Sequence, residues 1–103
     1  MKLLTKAIAN KALNQYDKGA DMEQMVVAKF FNPVGRGVWY LMNMHKDRDY
    51  CWGICHIFDW EIGSFSLNEL KEVGLPLGLK IERDKFFKPV KAIELWNKLK
   101  KEQ

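Results

Sequence analysis

Two cysteines and a histidine stand within six residues, Cys51-Trp52-Gly53-Ile54-Cys55-His56, in a chain whose only other histidine is His45. Cysteine and histidine at short spacing are the donors of zinc and haem-attachment sites. The spacing here fits neither. Haem attachment uses Cys-x-x-Cys-His, whereas three residues separate these cysteines. A zinc site needs a second Cys/His pair, and His45 is the one remaining candidate. The run also reads as a strand, in which four residues span roughly 13 Å at ~3.3 Å per residue. That is too far for a disulfide or a shared metal. No metal and no cofactor is therefore expected, and the cysteines are read as small buried hydrophobes.

Carboxylates offer a second chemistry. Asp59 and Glu61 alternate and would share a strand face, with His56 nearby as a general base. Glu82-Arg83-Asp84 forms a compact charged run that could hold an anion. Structural ion pairs are the commoner use of such groups. No Gly-x-Ser-x-Gly, His-Glu-x-x-His or phosphate-loop pattern supports catalysis. Gly35-Arg36-Gly37 lacks the Lys-Ser/Thr of a phosphate loop and reads as a hairpin turn. An enzyme built on His56 with Asp59 or Glu61 is kept as a third reading.

These residues need elements to hold them. Residues 5–17 predict a helix capped by Thr5, with Ile8, Ala12, Leu13 and Tyr16 on one face. Strands are predicted over Met25–Phe31, Val38–His45, Tyr50–Phe58 and Trp60–Phe65. Ser66-Leu67-Asn68-Glu69 reads as a capping box opening a short helix that Gly74 stops. A brief extended piece follows at Ile81. Pro89 fits the first turn of a last helix with Val90, Ile93, Trp96 and Leu99 on one face. The expected fold is α+β: an antiparallel sheet of three to four strands with an N-terminal helix, a short capped middle helix and a C-terminal basic amphipathic helix. Residues 1–103 are expected to form a single domain.

The hairpin of the second and third strands sorts its residues into two faces. With Lys46–Asp49 as a four-residue turn, His45 lies opposite Tyr50, Asn43 opposite Trp52 and Trp39 opposite His56. One face then carries Val38, Tyr40, Met42, Met44, Cys51, Gly53, Cys55 and Ile57, and is read as core. Gly53 marks a close approach or a bulge. The other face carries Trp39, Leu41, Asn43, His45, Tyr50, Trp52, Ile54 and His56. Two readings of that mixed face stay open: another helix covers it, or it is a recognition surface.

Thirteen per cent aromatic residues and 48% hydrophobic residues argue against disorder. The opening residues are not read as a leader, because Thr5, Lys6, Asn10 and Lys11 interrupt any apolar run. No stretch approaches the ~20 apolar residues of a membrane span. No membrane role is expected, and the expected compartment is the cytoplasm, with both cysteines as thiols. The net charge is +4, and residues 80–103 carry all of it, with eight Lys and Arg against four Asp and Glu. That excess suits a solvated helix end that complements its dipole. It would also suit nucleic acid, with Trp and Tyr stacking on bases.

The run Trp60–Leu70, WEIGSFSLNEL, and the later GLPLGLKIERDKFFKP resemble a small bacterial family defined as a domain of unknown function, common on plasmids and integrative conjugative elements. Matching segments are Met1–Thr5, Lys29–Pro33, Trp39-Tyr40, Gly53, Glu61-Ile62-Gly63, Phe65–Leu70 and Ile81–Asp84. Asn43 stands where the family pattern has Glu, and Ser64 where it has Tyr. The resemblance implies a mobile-element setting and no mechanism; the function expected is that of a non-enzymatic accessory protein of a mobile genetic element. The expected partner is a protein rather than nucleic acid, bound through Trp39, Asn43, Trp52, His56, Glu61, Glu82, Arg83 and Asp84. Nucleic-acid binding through the basic C-terminal region is the alternative. The oligomeric state is left open.

Overall fold

A computed structural model describes residues 2–103. The chain runs α1 (Lys6–Asn14), β1 (Met25–Val26), β2 (Ala28–Phe31), β3 (Val38–Met44), β4 (Tyr50–His56), β5 (Trp60–Ser66) and α2 (Leu67–Glu72). A 3₁₀ turn (Pro76–Gly78), β6 (Glu82–Arg83), β7 (Val90–Lys91) and α3 (Ala92–Lys101) complete it. Five strands form an antiparallel sheet in the order β5-β4-β3-β2-β6, and β1 pairs with β7 as a separate ribbon. The architecture is α+β with three helices.

Both faces of the sheet are covered. On the first face, Phe30, Leu41, Met44 and Cys51 pack with Ala9 and Ala12 of α1 and with Leu67 and Leu70 of α2. On the second face, Tyr40, Met42 and Ile54 pack with Ala92 and Leu95 of α3, joined by Trp52, Trp60, Ile62 and Trp96 at the margin. A strand flanked by apolar groups on both sides reads as a continuous apolar run, which β3 does from Val38 to Met42.

The β3–β4 hairpin turns as its polar residues dictate. Asp47 Oδ1 accepts from the N–H groups of Asp49 (2.9 Å) and Tyr50 (3.0 Å), and His45 N–H donates to Tyr50 O at 2.9 Å. Asn43 pairs with Trp52 as expected. Beyond that point the ladder slips by one residue between Leu41 and Asn43, so Trp39 pairs with Cys55, and Val38 with His56. A β-bulge adds one residue to one strand and reverses the alternation beyond it. The expected pairing of Trp39 with His56 is thereby corrected. Trp39 and Leu41 join the first face, whereas Val38, Tyr40 and Met42 join the second.

Two residues stabilise the bulge. Gln15 Nε2 donates 2.7 Å to Met42 O, serving a carbonyl at the irregularity. Gly53 accepts a backbone where no side chain fits: a Cβ there would stand 2.0 Å from Tyr40 O.

Other boundaries moved for local reasons. The expected strand Met25–Phe31 divides at Val27, whose N–H donates to Leu41 O at 2.8 Å. Pro89 precedes β7 instead of opening α3, which begins at Ala92. The first turn of α3 has no side-chain cap; its Ala92 and Ile93 N–H groups donate to Gln24 O and Met22 O, each at 2.9 Å.

The cap of α2 is shared differently from the expected box. Ser66 Oγ accepts from Glu69 N–H at 3.1 Å, as expected. Its hydroxyl then donates 2.6 Å to Asp49, whose carboxylate also accepts from Asn68 N–H at 2.9 Å. Asp49, not Glu69, therefore completes the network. The Ser66 hydroxyl first, and the Asn68 N–H second, hold the Asp49 carboxyl below its ordinary value. A depressed carboxyl contributes stability at neutral pH that is lost as the pH falls through its folded value. Ser66→Ala is expected to cost about 1 kcal/mol in urea unfolding at neutral pH. The difference from the parent chain should shrink in acid, as Asp49 becomes protonated in both.

Candidate functional site

The residues singled out from the sequence do not converge on one surface. Asn43 is fully buried, and its amide nitrogen is spent on the fold, while its Oδ1 is buried without a partner among the described residues. Its Nδ2 donates 2.9 Å to Gly19 O and 2.9 Å to Gln24 Oε1. Gln24 in turn donates to Gly19 O (2.9 Å) and Asp21 O (2.6 Å). This chain of bonds fixes the loop whose carbonyls cap α3. Asn43 is thus removed from the binding set, and a carboxylate at position 43 could not donate these bonds.

Trp52 and His56 lie on the second face, which α3 covers. Trp52 is half-buried at the margin of that core. The His56 ring sits 4.6 Å from the Trp60 ring. Of the two readings left open for this face, a covering helix is the one the structure contains, with Trp52 and His56 half-buried at its margin. A ring series, Trp52–Tyr50 (6.3 Å) and Tyr50–His45 (4.6 Å), continues it toward the hairpin tip.

The charged run at residues 82–84 lies on the far edge strand, across the sheet from Glu61. Arg83 Nη1 donates 2.8 Å to Lys2 O, tying the N-terminal segment to β6. Asp84 Oδ1 accepts from Phe86 N–H at 2.9 Å, and Asp84 N–H donates to Lys29 O at 2.9 Å. Glu82, Arg83 and Asp84 line an open hollow with Lys29 and Phe31, separate from Glu61. The expected joint region of Glu61 with these three is not formed.

His56 likewise does not meet Glu61. His56 pairs with Trp60 and Cys55 with Glu61, so alternation sends the His56 and Glu61 side chains to opposite faces. Asp59 Oδ1 accepts from Trp60 N–H (2.8 Å) and from Gln103 Nε2 (2.9 Å).

Trp39 and Glu61 do come together. On the first face, Trp39, Cys55, Ile57, Glu61, Phe65, Glu69, Leu70 and Val73 line a groove of about 360 Å³. The bulge supplies Trp39, β4 and β5 supply the floor, α2 supplies Glu69 and Leu70, and Val73 is the residue that ends α2. Ile57 is 46% exposed and Phe58, next in the chain, is 82% exposed. Arg36 lies over the Phe58 ring at 5.5 Å, bringing the β2–β3 loop to the same end of the sheet. The surface is apolar inside, with the exposed carboxylates of Glu61 and Glu69 on its wall. Sequence reasoning found Trp39 and Glu61 but assigned Ile57 to the core and missed Phe58, Phe65 and Val73. An Ile-Phe pair placed just past the end of a strand was the available signal.

The cysteines of the opening motif are both free and buried. Burial pushes each thiol up to about 12, with Asp49 adding to the effect at Cys51 and Glu61 at Cys55. A thiol held so far above neutral pH is a poor nucleophile. Among the described residues, no group of three or more His, Cys, Asp or Glu is placed to hold a metal ion. Among them also, no helix is long and apolar enough to cross a membrane.

No curated protein and no solved structure matches the chain. A family model does match, over residues 2–103, and the chain belongs to the family it describes, protein of unknown function DUF2958.

Proposed function

We propose that the protein is a non-enzymatic protein-binding module whose docking site is the Trp39 groove. The observation that carries this reading is the convergence of Trp39, Ile57, Phe65 and Val73 beside two exposed carboxylates, next to a fully presented Phe58. Apolar area rimmed by polar groups is the usual composition of a protein docking site. Glu61 and Glu69 select by sign, so the matching segment is an apolar stretch flanked by Lys or Arg. A role as an accessory protein of a mobile element belongs to the same proposal and is supported by the motif resemblance alone.

The basic end of α3 has a sufficient local explanation. Lys98, Lys100 and Lys101 stand in its last turn, where cations complement the helix dipole, and Lys100 lies 5.3 Å from the Trp96 ring.

Selection from a displayed random-peptide library tests the reading. Selected peptides should share apolar residues flanked by Lys or Arg. Glu61→Lys should weaken their binding about tenfold or more, the equivalent of ~1.4 kcal/mol. Replacing Lys98, Lys100 and Lys101 by Glu should leave it unchanged. Acidic consensus sequences, or binding lost only with the lysine variant, would contradict the groove and favour the basic helix as the site.

A further inference from the structure

We infer that the open edge of β5 is a pairing surface for a second copy of this chain, joined antiparallel about a two-fold axis at Gly63. This goes beyond the groove proposal and does not depend on it. The two edges of the sheet are treated differently. At one edge β6 is two residues long and carries Glu82 and Arg83, which is how sheets blunt an edge. At the other, β5 presents seven residues, Trp60-Glu61-Ile62-Gly63-Ser64-Phe65-Ser66, in unbroken register with β4. It contains no proline, no lysine and no bulge. None of its residues is buried, although it carries Trp60, Ile62 and Phe65.

The backbone direction follows from one bond. Leu67 N–H donates 2.9 Å to Asp49 O, extending the β4–β5 ladder by one step beyond the Cys51–Phe65 pair. Hydrogen-bonded and non-bonded pairs alternate along an antiparallel ladder. Cys51–Phe65, Gly53–Gly63 and Cys55–Glu61 are then the bonded pairs, and Trp60, Ile62 and Ser64 point their N–H and C=O groups outward. Trp60 N–H is satisfied locally by Asp59 Oδ1 at 2.8 Å. The outward groups of Ile62 and Ser64 have no intrachain partner among the described residues.

Centring the two-fold on Gly63 pairs all seven residues. Ile62 then exchanges hydrogen bonds with Ser64 of the other copy, in both directions and twice over. Trp60 faces Ser66, and Glu61 faces Phe65, so no like charges are opposed. Gly63 meets its own copy, where a Cβ would find nothing within 4 Å on its own chain. The resulting sheet ends on both sides in the short charged β6, so the assembly closes as a dimer. Phe65 of each copy is brought beside Glu61 of the other, and each Trp39 groove gains that ring as an added wall.

Sedimentation or light scattering of the full chain over about 10–200 µM tests the pairing, because dimer population rises with protomer concentration. The parent chain should approach twice the chain mass. Ser64→Pro removes an outward N–H that the β4 ladder does not use and should give a monomer. Ser64→Lys, which leaves the backbone intact, should do the same with an unchanged circular dichroism spectrum. Amide exchange at Ile62 and Ser64 should be slow in the parent and fast in Ser64→Lys. A parent chain that stays monomeric throughout this range overturns the inference, as does a dimer that survives Ser64→Lys. Neither mass measurement involves a peptide, so the groove proposal stands or falls separately.

Discussion

Gly53→Ala is expected to destabilise the protein more than any other single-methyl change. A Cβ at this position would lie 2.0 Å from Tyr40 O and 3.0 Å from Tyr40 C, both backbone atoms of the central strand. Phe65 closes the remaining space at 3.1 Å. Neither Tyr40 atom can rotate away, because β3 is held on both sides by β2 and β4. Relief requires separating β3 from β4 next to the bulge, where the hydrogen-bond ladder is already irregular. Overpacking of this kind costs about 3 kcal/mol or more. Against a typical total of ~5–15 kcal/mol for a native domain, that is a large share. The melting midpoint should fall by about 12–24 °C, at ~4–8 °C per kcal/mol for a chain of this size. Gly74→Ala is the control, since a Cβ there meets nothing within 4 Å and its φ is not in the left-handed region. Calorimetry showing Gly53→Ala within about 1 kcal/mol of the control would mean that the strands do not approach as closely as the bulge requires.

Asn43→Ala should follow closely in size. The residue is fully buried, and its amide holds Gly19 O and Gln24 Oε1 together. Truncation leaves Gln24 Oε1 without its donor and opens a void. A buried polar group stripped of its partner costs ~1–3 kcal/mol, and the lost packing adds to that. About 3 kcal/mol is expected. The effect should also spread. Gln24 O and Met22 O cap the first turn of α3, so amide exchange at Ala92 and Ile93 should quicken more than at α1. Asn43→Asp should be at least as damaging at neutral pH, because a carboxylate would face two acceptors. An Asn43→Ala chain of unchanged stability would contradict the structural role given to its amide nitrogen.

What could be read from the sequence follows the strength of local signals. The Thr5 cap, the Ser66 cap and the Asp47 turn each depend on a few neighbouring residues, and each is found where the polar residues specify it. The hairpin pairing is correct from the turn to Asn43–Trp52. It fails at the bulge for a physical reason. Val38–Met42 is apolar throughout, and both faces of the sheet are covered, so no in-out alternation marks a change of phase. The missed bulge moved Trp39 to the wrong face and grouped it with Trp52 and His56. Gly53 reads as a close approach or a bulge, the one visible trace of that irregularity. The β1–β7 ribbon depends on pairing between residues more than sixty positions apart and leaves no local mark. For the candidate site, residue types were legible and convergence was not. Trp39 and Glu61 were singled out, yet only the folded chain shows that α2 brings Glu69 and Val73 opposite them.

The groove itself is most directly tested by mapping where a ligand binds. The measurement is a ¹H–¹⁵N titration of the chain with a display-selected apolar peptide flanked by lysines. Shift changes are expected at the Trp39 indole and at the amides of Cys55, Ile57, Glu61, Glu69 and Val73, all of which line the groove. They should be absent in Glu61→Lys under conditions where the parent is saturated. Changes confined to Lys98, Lys100 and Lys101, or saturable binding that leaves the Trp39 indole unmoved, would contradict docking in this groove.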